Sequence, residues 1–214
     1  MATEDDIDES WLNLESVDHV LSTTRSVRKM LDLERPISAE LLYDCINIAT
    51  QAPTGIPGEN WRFVIVTDAD KKLQLAELYR STIAEFQQQH ELQIKPTQKT
   101  LMSHLQDVPA MIFVCATGAQ PGPESASQVG FYASILPAAW SLMLALRSRR
   151  IGSTWTALLA SRQQEVADIL GMDDDVVQTV MLPVAHMKGA VLRKARRRDA
   201  RELTYWNQWG QTDA

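Results

Sequence analysis

Two arginine-bearing stretches carry most of the chemistry this sequence offers. Thr24-Arg25-Ser26-Val27-Arg28 lies near the start, and Lys194-Ala195-Arg196-Arg197-Arg198 lies near the end. A guanidinium group presents a planar fork of N–H donors that matches the oxygens of a phosphate, and a serine hydroxyl adds another donor. Brought together by a fold, the two stretches would form one anion site. Taken singly, each reads first as a solvated patch, because short arginine runs are usually surface charge. A third element raises the chemical interest. The loop Ala52-Pro53-Thr54-Gly55-Ile56-Pro57-Gly58-Glu59-Asn60 is rich in turn formers. Backbone N–H groups in such loops can approach a phosphate or a planar ring closely.

Other chemistries find little support. His19, His90, His104 and His186 are scattered, without the spacing of a metal site. There is no G-x-G-x-x-G and no Walker loop. Arginines without an acid–base pair suit a protein whose cofactor performs the reaction.

The elements that must position these residues follow from the composition. At 214 residues and 45% apolar content, the chain is long enough for one large core. A formal charge of -6 and a pI near 5.2 argue against non-specific nucleic-acid binding. Residues 1–18 hold Glu4, Asp5, Asp6, Asp8, Glu9, Glu15 and Asp18 with no Lys or Arg, and read as a flexible acidic arm ahead of a single domain over 19–214. Cys45 and Cys115 sit in apolar runs, as buried free thiols do in a reducing compartment. No basic start precedes an apolar signal region, so the expected location is cytoplasmic. Ser125 to Leu146 is uncharged and meets the length of a membrane span, yet it contains several Ser, a Gln and Pro137. The expectation is a buried core helix and no membrane.

Ser38 is positioned to cap a helix running to about Gln51, with Leu41, Leu42, Cys45, Ile46 and Ala49 on one face. Trp61 to Val66 and Ala110 to Ala116 read as buried strands. Between them, Leu73, Ala76, Tyr79, Ile83 and Phe86 mark a long helix that fades into a mobile surface excursion at Gln87-Gln88-Gln89-His90. After the apolar helix from Ser125 to about Ser148, Ile151 to Leu158 reads as a third strand or extended segment. Ser161-Arg162-Gln163-Gln164 has capping-box form before a helix that stops at Gly171, and Val176 to Val184 is a fourth strand. Alternating strands and helices imply a sheet covered by helices.

From about residue 19 to 210 these features resemble the nitroreductase family of FMN-dependent oxidoreductases. Thr24-Arg25-Ser26-Val27-Arg28 is similar to the family's Arg-Arg-Ser-x-Arg opening. Ala52-Pro53-Thr54-Gly55 through Trp61-Arg62-Phe63-Val64 is similar to its Ala-Pro-Ser-x-x-Asn-x-Gln-Pro-Trp-x-Phe segment. Leu136-Pro137-Ala138 through Ile151-Gly152-Ser153 matches its central helix and following Gly turn. Leu182-Pro183-Val184 and then Arg196-Arg197-Arg198 match its closing strand and basic phosphate segment.

The resemblance implies an α+β fold: a three-layer sandwich with a central mixed or antiparallel sheet covered by helices, in a domain-entwined homodimer with FMN at the subunit interface. It implies that Arg25, Ser26 and Arg28 hold the phosphate and ribityl end, and that Arg197 with Arg196 completes the grip. Thr54 and Gly55 would lie near the ring from the partner chain, while Thr156, Ala157 and Leu158 would offer backbone groups to the isoalloxazine. Hydride would come from NADH or NADPH and leave to a small-molecule electron acceptor such as a nitroaromatic or quinone, with ping-pong kinetics.

Several positions depart from the family pattern. Its first Arg is Thr24 here, its Asn falls on Pro57, its Gln on Glu59, and the residue after the closing arginines is Asp199. These departures keep open a flavin-sequestering protein with little turnover. The stretch from Lys188 to Arg201 keeps open a weaker idea, a basic-tail interaction module. The Thr54-Gly55…Glu59 segment also resembles iodotyrosine deiodinases and flavin destructases, but residues 79–100 show no counterpart of the deiodinase substrate lid.

Overall fold

A computed structural model describes residues 12–55, 59–90, 94–118 and 121–212. In chain order its elements are α1 (Leu14–Thr23), β1 (Leu31–Asp32), α2 (Ala39–Ala49), β2 (Trp61–Val66), α3 (Ala69–His90), α4 (Pro96–His104), β3 (Ala110–Thr117), α5 (Ser125–Ser148), β4 (Ile151–Ser153), α6 (Gln163–Leu170) and β5 (Val176–Met187). The chain divides into two compact units: residues 24–190, and the two chain ends up to Thr23 and from Val191.

In the larger unit every strand pair is antiparallel, with β5 bonded to β1, β3 and β4, and β2 bonded to the other side of β3. β3 is apolar along its length because both of its faces are covered, as a fully buried strand requires. Ile112, Val114 and Ala116 point into one core with α2 and α5, and Met111, Phe113 and Cys115 into another with α3, α4 and α6. The alternation turns one apolar run into two helix-packed layers. The expected α+β three-layer sandwich is therefore present, with a sheet that is antiparallel throughout.

A bulge shifts the β3–β5 register: Val114 pairs with Val180 and Cys115 with Gln178. The intervening Thr179 turns its hydroxyl onto the Val114 carbonyl at 2.8 Å, so the displaced backbone acceptor stays satisfied.

α2 starts where Ser38 caps it, the Leu41 N–H donating to Ser38 Oγ at 3.4 Å. α5 is long and apolar enough to cross a membrane by length and composition. Here it is a core helix, with Ile135, Ala138, Leu142 and Leu146 fully buried against α2 and the sheet.

The structure differs from the expected elements in several places. α3 runs on through Gln87–His90 rather than fading, because glutamine is a good helix former whatever its polarity. Ser161 does not cap α6. It sits in a 3₁₀ turn, Leu158–Ser161, with its hydroxyl donated to the Leu158 carbonyl. The expected third strand stops at Ser153, after which a lone bridge joins Thr156 to Met181. α1, β1 and α4 are elements beyond those expected, and α1 begins inside the acidic stretch.

Cys45 and Cys115 are buried free thiols. Burial pushes the Cys115 thiol up to about 12. Burial also raises Cys45, against a lowering influence of Arg149. At pH 8 both thiols are therefore held in the unreactive protonated form. A thiol reagent such as DTNB is expected to leave both unmodified in the folded protein and to titrate both in denaturant. Rapid modification of Cys115 in the folded chain would contradict the burial.

Candidate functional site

The Ser26–Arg28 segment is held against the end of β4 by three hydrogen bonds. Val27 N–H donates to the Ser153 carbonyl at 2.9 Å, the Thr154 hydroxyl to the Val27 carbonyl at 2.7 Å, and Trp155 N–H to Ser26 Oγ at 3.0 Å. Ser26 thus accepts through its oxygen and keeps its own proton to donate. The approach is close because residue 152 is glycine. A Cβ there would lie 2.9 Å from Leu31 Cδ2, 3.1 Å from Val27 Cβ and 3.2 Å from Met187 Cγ.

This docking carries Arg28 to the wall of a cavity of about 370 Å³. Thr156, Ala157 and Leu158 share the Arg28 side, and Tyr79 and Phe86 of α3 close the other. Arg28 Nε is buried without a hydrogen-bond partner. Buried N–H groups are nearly always paired, so this orphan is a donor that the surrounding residues leave unsatisfied. Thr156 exchanges both backbone bonds with Met181, at 3.2 and 2.9 Å, which leaves only its side chain for a ligand. Among the described residues the N–H groups of Ala157 and Leu158 have no partner, as expected at the open start of a 3₁₀ turn. One guanidinium and two free backbone donors around a half-apolar cavity make a site for a planar or anionic acceptor.

Arg25 is exposed, although only three residues from Arg28. Thr54 and Gly55 are exposed and do not line this cavity. Their loop is tied instead to α5: Gly55 N–H donates to Ser134 Oγ at 3.1 Å, while Trp61 Nε1 donates to the Ser134 carbonyl at 2.7 Å. Ser134, Trp155 and the α3 wall carry no sequence signature. The Trp61 indole and the Gly55 loop could have suggested a polar partner on the central helix, though not which residue.

Arg196 and Arg197 belong to the unit of the chain ends, where both are exposed and neither forms an ion pair among the described residues. Asp199 caps a short turn in that unit, its carboxylate accepting from Arg201 N–H at 2.9 Å. Of the departures from the family pattern, Pro57 lies outside the described residues. Glu59 is exposed at a positive φ of 49°, with its carbonyl accepting from Arg62.

A nitroreductase family model matches residues 21–186, most of the chain. The chain belongs to the nitroreductase family. No curated protein sequence matches it. Among solved structures it is similar to a nitroreductase-like family protein from Bacillus cereus, at 19% identity over 92% of this chain and 99% of the other, with a TM-score of 0.66. It is also similar to an iodotyrosine deiodinase bound to FMN and 3-iodo-L-tyrosine, at 20% identity over 89% and 98%, TM-score 0.69. A third likeness is to an NADPH:FMN oxidoreductase from Vibrio harveyi complexed with NAD+, at 17% identity over 90% and 77%, TM-score 0.67. At such identities the likeness is one of fold.

Gly152→Ala tests the docking that positions Arg28. The side chain of Leu31 can swing aside, but Val27 Cβ is fixed to the backbone, so the Ser26–Arg28 segment must move. The expected cost is about 1–3 kcal/mol, as for other overpacked sites, read as a fall in urea midpoint at constant m. An unchanged midpoint would mean that the segment yields freely.

Proposed function

We propose that the chain is an FMN-dependent oxidoreductase carrying hydride from NADH or NADPH to a nitroaromatic, quinone or related conjugated acceptor. The observation that carries this reading is one cavity lined by Arg28, whose buried Nε has no partner, and by Ala157 and Leu158, whose backbone N–H groups are free. The donor set fits FMN, whose ring and ribityl oxygens and nitrogens are acceptors. Membership of the nitroreductase family and fold likeness to FMN-binding structures add to the fit.

In this reading Arg28 and the Ser26 hydroxyl hold the ribityl and phosphate end, and Arg25, Arg196 and Arg197 complete the phosphate grip. Ala157 and Leu158 would donate to the ring edge, with the Thr156 side chain beside them. Tyr79 and Phe86 would keep water from the ring, which strengthens every donor inside. Bound FMN supplies the redox chemistry, while the chain orients it and tunes its electronics. With one flavin face serving donor and acceptor in turn, the kinetics would be ping-pong.

A homodimer, with Thr54 and Gly55 reaching the partner's ring, is supported by the apolar side chains left uncovered. Within the larger unit these are Tyr43 and Ile48 on α2 and Val129, Tyr132 and Trp140 on α5. Within the unit of the chain ends they are Leu14, Val17 and Leu21 along α1 and Trp209, which is 86% exposed. Patches of this kind mark surfaces that another chain covers. We place such a dimer in the cytoplasm.

Purified protein is expected to be yellow, with a flavin spectrum that NADH or NADPH bleaches. Colourless protein that takes up no added FMN would defeat the proposal. Flavin that binds tightly but is never bleached would favour sequestration over turnover. Arg28→Ala should weaken FMN binding by ~1.5–3 kcal/mol, the scale of a charge-assisted contact, in a fluorescence-quenching titration. Arg197→Ala should do the same, and unchanged affinity in both variants would refute the assigned grip.

A further inference from the structure

Arg28 also borders a second cavity, of about 260 Å³, between the Lys29–Leu33 stretch and α4. Of the residues lining the two cavities, Arg28 alone is common to both. Lys29 and His104 bring two more cationic or protonatable groups to the second. Lys29 forms no ion pair among the described residues, and His104 has one nearby carboxylate, Asp107 at 3.4 Å. The remaining walls are largely apolar, including Leu31 and the buried Leu101 and Val108. The backbone at the wall of the second cavity is fixed in an unusual shape. Met30 has a φ of 57°, and its carbonyl accepts from Lys188 N–H at 2.7 Å. Non-glycine residues held in the left-handed region cluster at functional sites.

We propose that this second cavity binds a small carboxylate with an apolar body, and that its occupant competes with the flavin for the Arg28 guanidinium. The charge at the rim selects an anion, and the leucine and valine walls select a ligand with a hydrophobic body. The size selects a small one, because pockets for drug-sized ligands begin at about 300 Å³. Arg28 lines both cavities, so an anion held in either draws on the same guanidinium charge, and occupancy of one weakens the other by the same factor. The competition rests on the flavin reading given above; the carboxylate site does not.

Cyclohexanecarboxylate is a suitable probe because it has no aromatic ring to stack on a flavin. It would be titrated calorimetrically into the protein as purified and after saturation with FMN. Binding is expected to wild-type protein and to fall about tenfold or more in Lys29→Ala/His104→Gln, the scale of losing contacts to charged groups. Neither residue borders the first cavity, so the variant should keep wild-type FMN affinity. Saturating carboxylate should raise the FMN dissociation constant severalfold in wild type and leave it unchanged in the variant. No binding to wild type, or equal binding to wild type and variant, overturns the site. Carboxylate binding that leaves FMN affinity unmoved overturns the shared guanidinium. If the protein takes up no FMN, the flavin reading fails and the competition with it, while the carboxylate titration still decides the site.

Discussion

The docking of Ser26 and Val27 onto residues 153–155 is the contact on which the site depends. Two of its bonds join residues 127 and 129 positions apart, so each closes a long loop. Each is worth on the order of 1 kcal/mol, too little to close such a loop unaided. The sheet makes the difference. β4 is already held on β5, and Gly152 lets the incoming backbone lie against it without a Cβ between them. Arg28 is thereby delivered to the cavity wall by the fold itself, rather than as a charge on a loose arm.

The sheet in turn works because β3 and β5 serve both layers at once. Their alternate residues feed two separate cores, so a disturbance on one face need not reach the other. The bulge at Thr179 absorbs one extra residue in β5 while its hydroxyl keeps the Val114 carbonyl bonded. The two candidate site elements follow this division. The Arg28 cavity is closed by α3, and the Gly55 loop is tied to α5 through Ser134. The elements that would meet a ligand thus rest on different layers of one sandwich.

Elements with a strong apolar signal were legible in the sequence: α2 with its Ser38 cap from helical spacing, and α5, β2 and β3 from uncharged or apolar runs. Elements that depend on tertiary context were not. β1 is two residues long and exists only through its partner β5. Gln87–His90 looks polar enough for a loop, but helical propensity and polarity are different properties, and α3 continues through it. Ser161 matches a capping pattern, yet the preceding 3₁₀ turn claims its hydroxyl locally. Donor chemistry at the site was similarly legible in part. The arginines and Ser26 announce themselves by residue type. The backbone N–H groups of Ala157 and Leu158 were reached only through the family resemblance, since no residue type announces them, and they are free because a turn begins there.

Arg25 and Arg28 show why residue type alone does not make a site. They share a side chain, a motif and nearly a position, but Arg25 is exposed whereas Arg28 is half-buried with a wholly buried Nε. An exposed guanidinium is hydrated in the unliganded chain, so it carries no standing cost there, and a phosphate must displace that water to pair with it. A buried N–H without a partner has lost its water and costs on the order of 1–3 kcal/mol until an acceptor arrives. The folded chain therefore holds at Arg28 a donor that its own residues leave unsatisfied. That is how affinity can concentrate in one of two chemically equal residues. Because Arg28 lines both cavities, an anion in either would draw on the same positive charge.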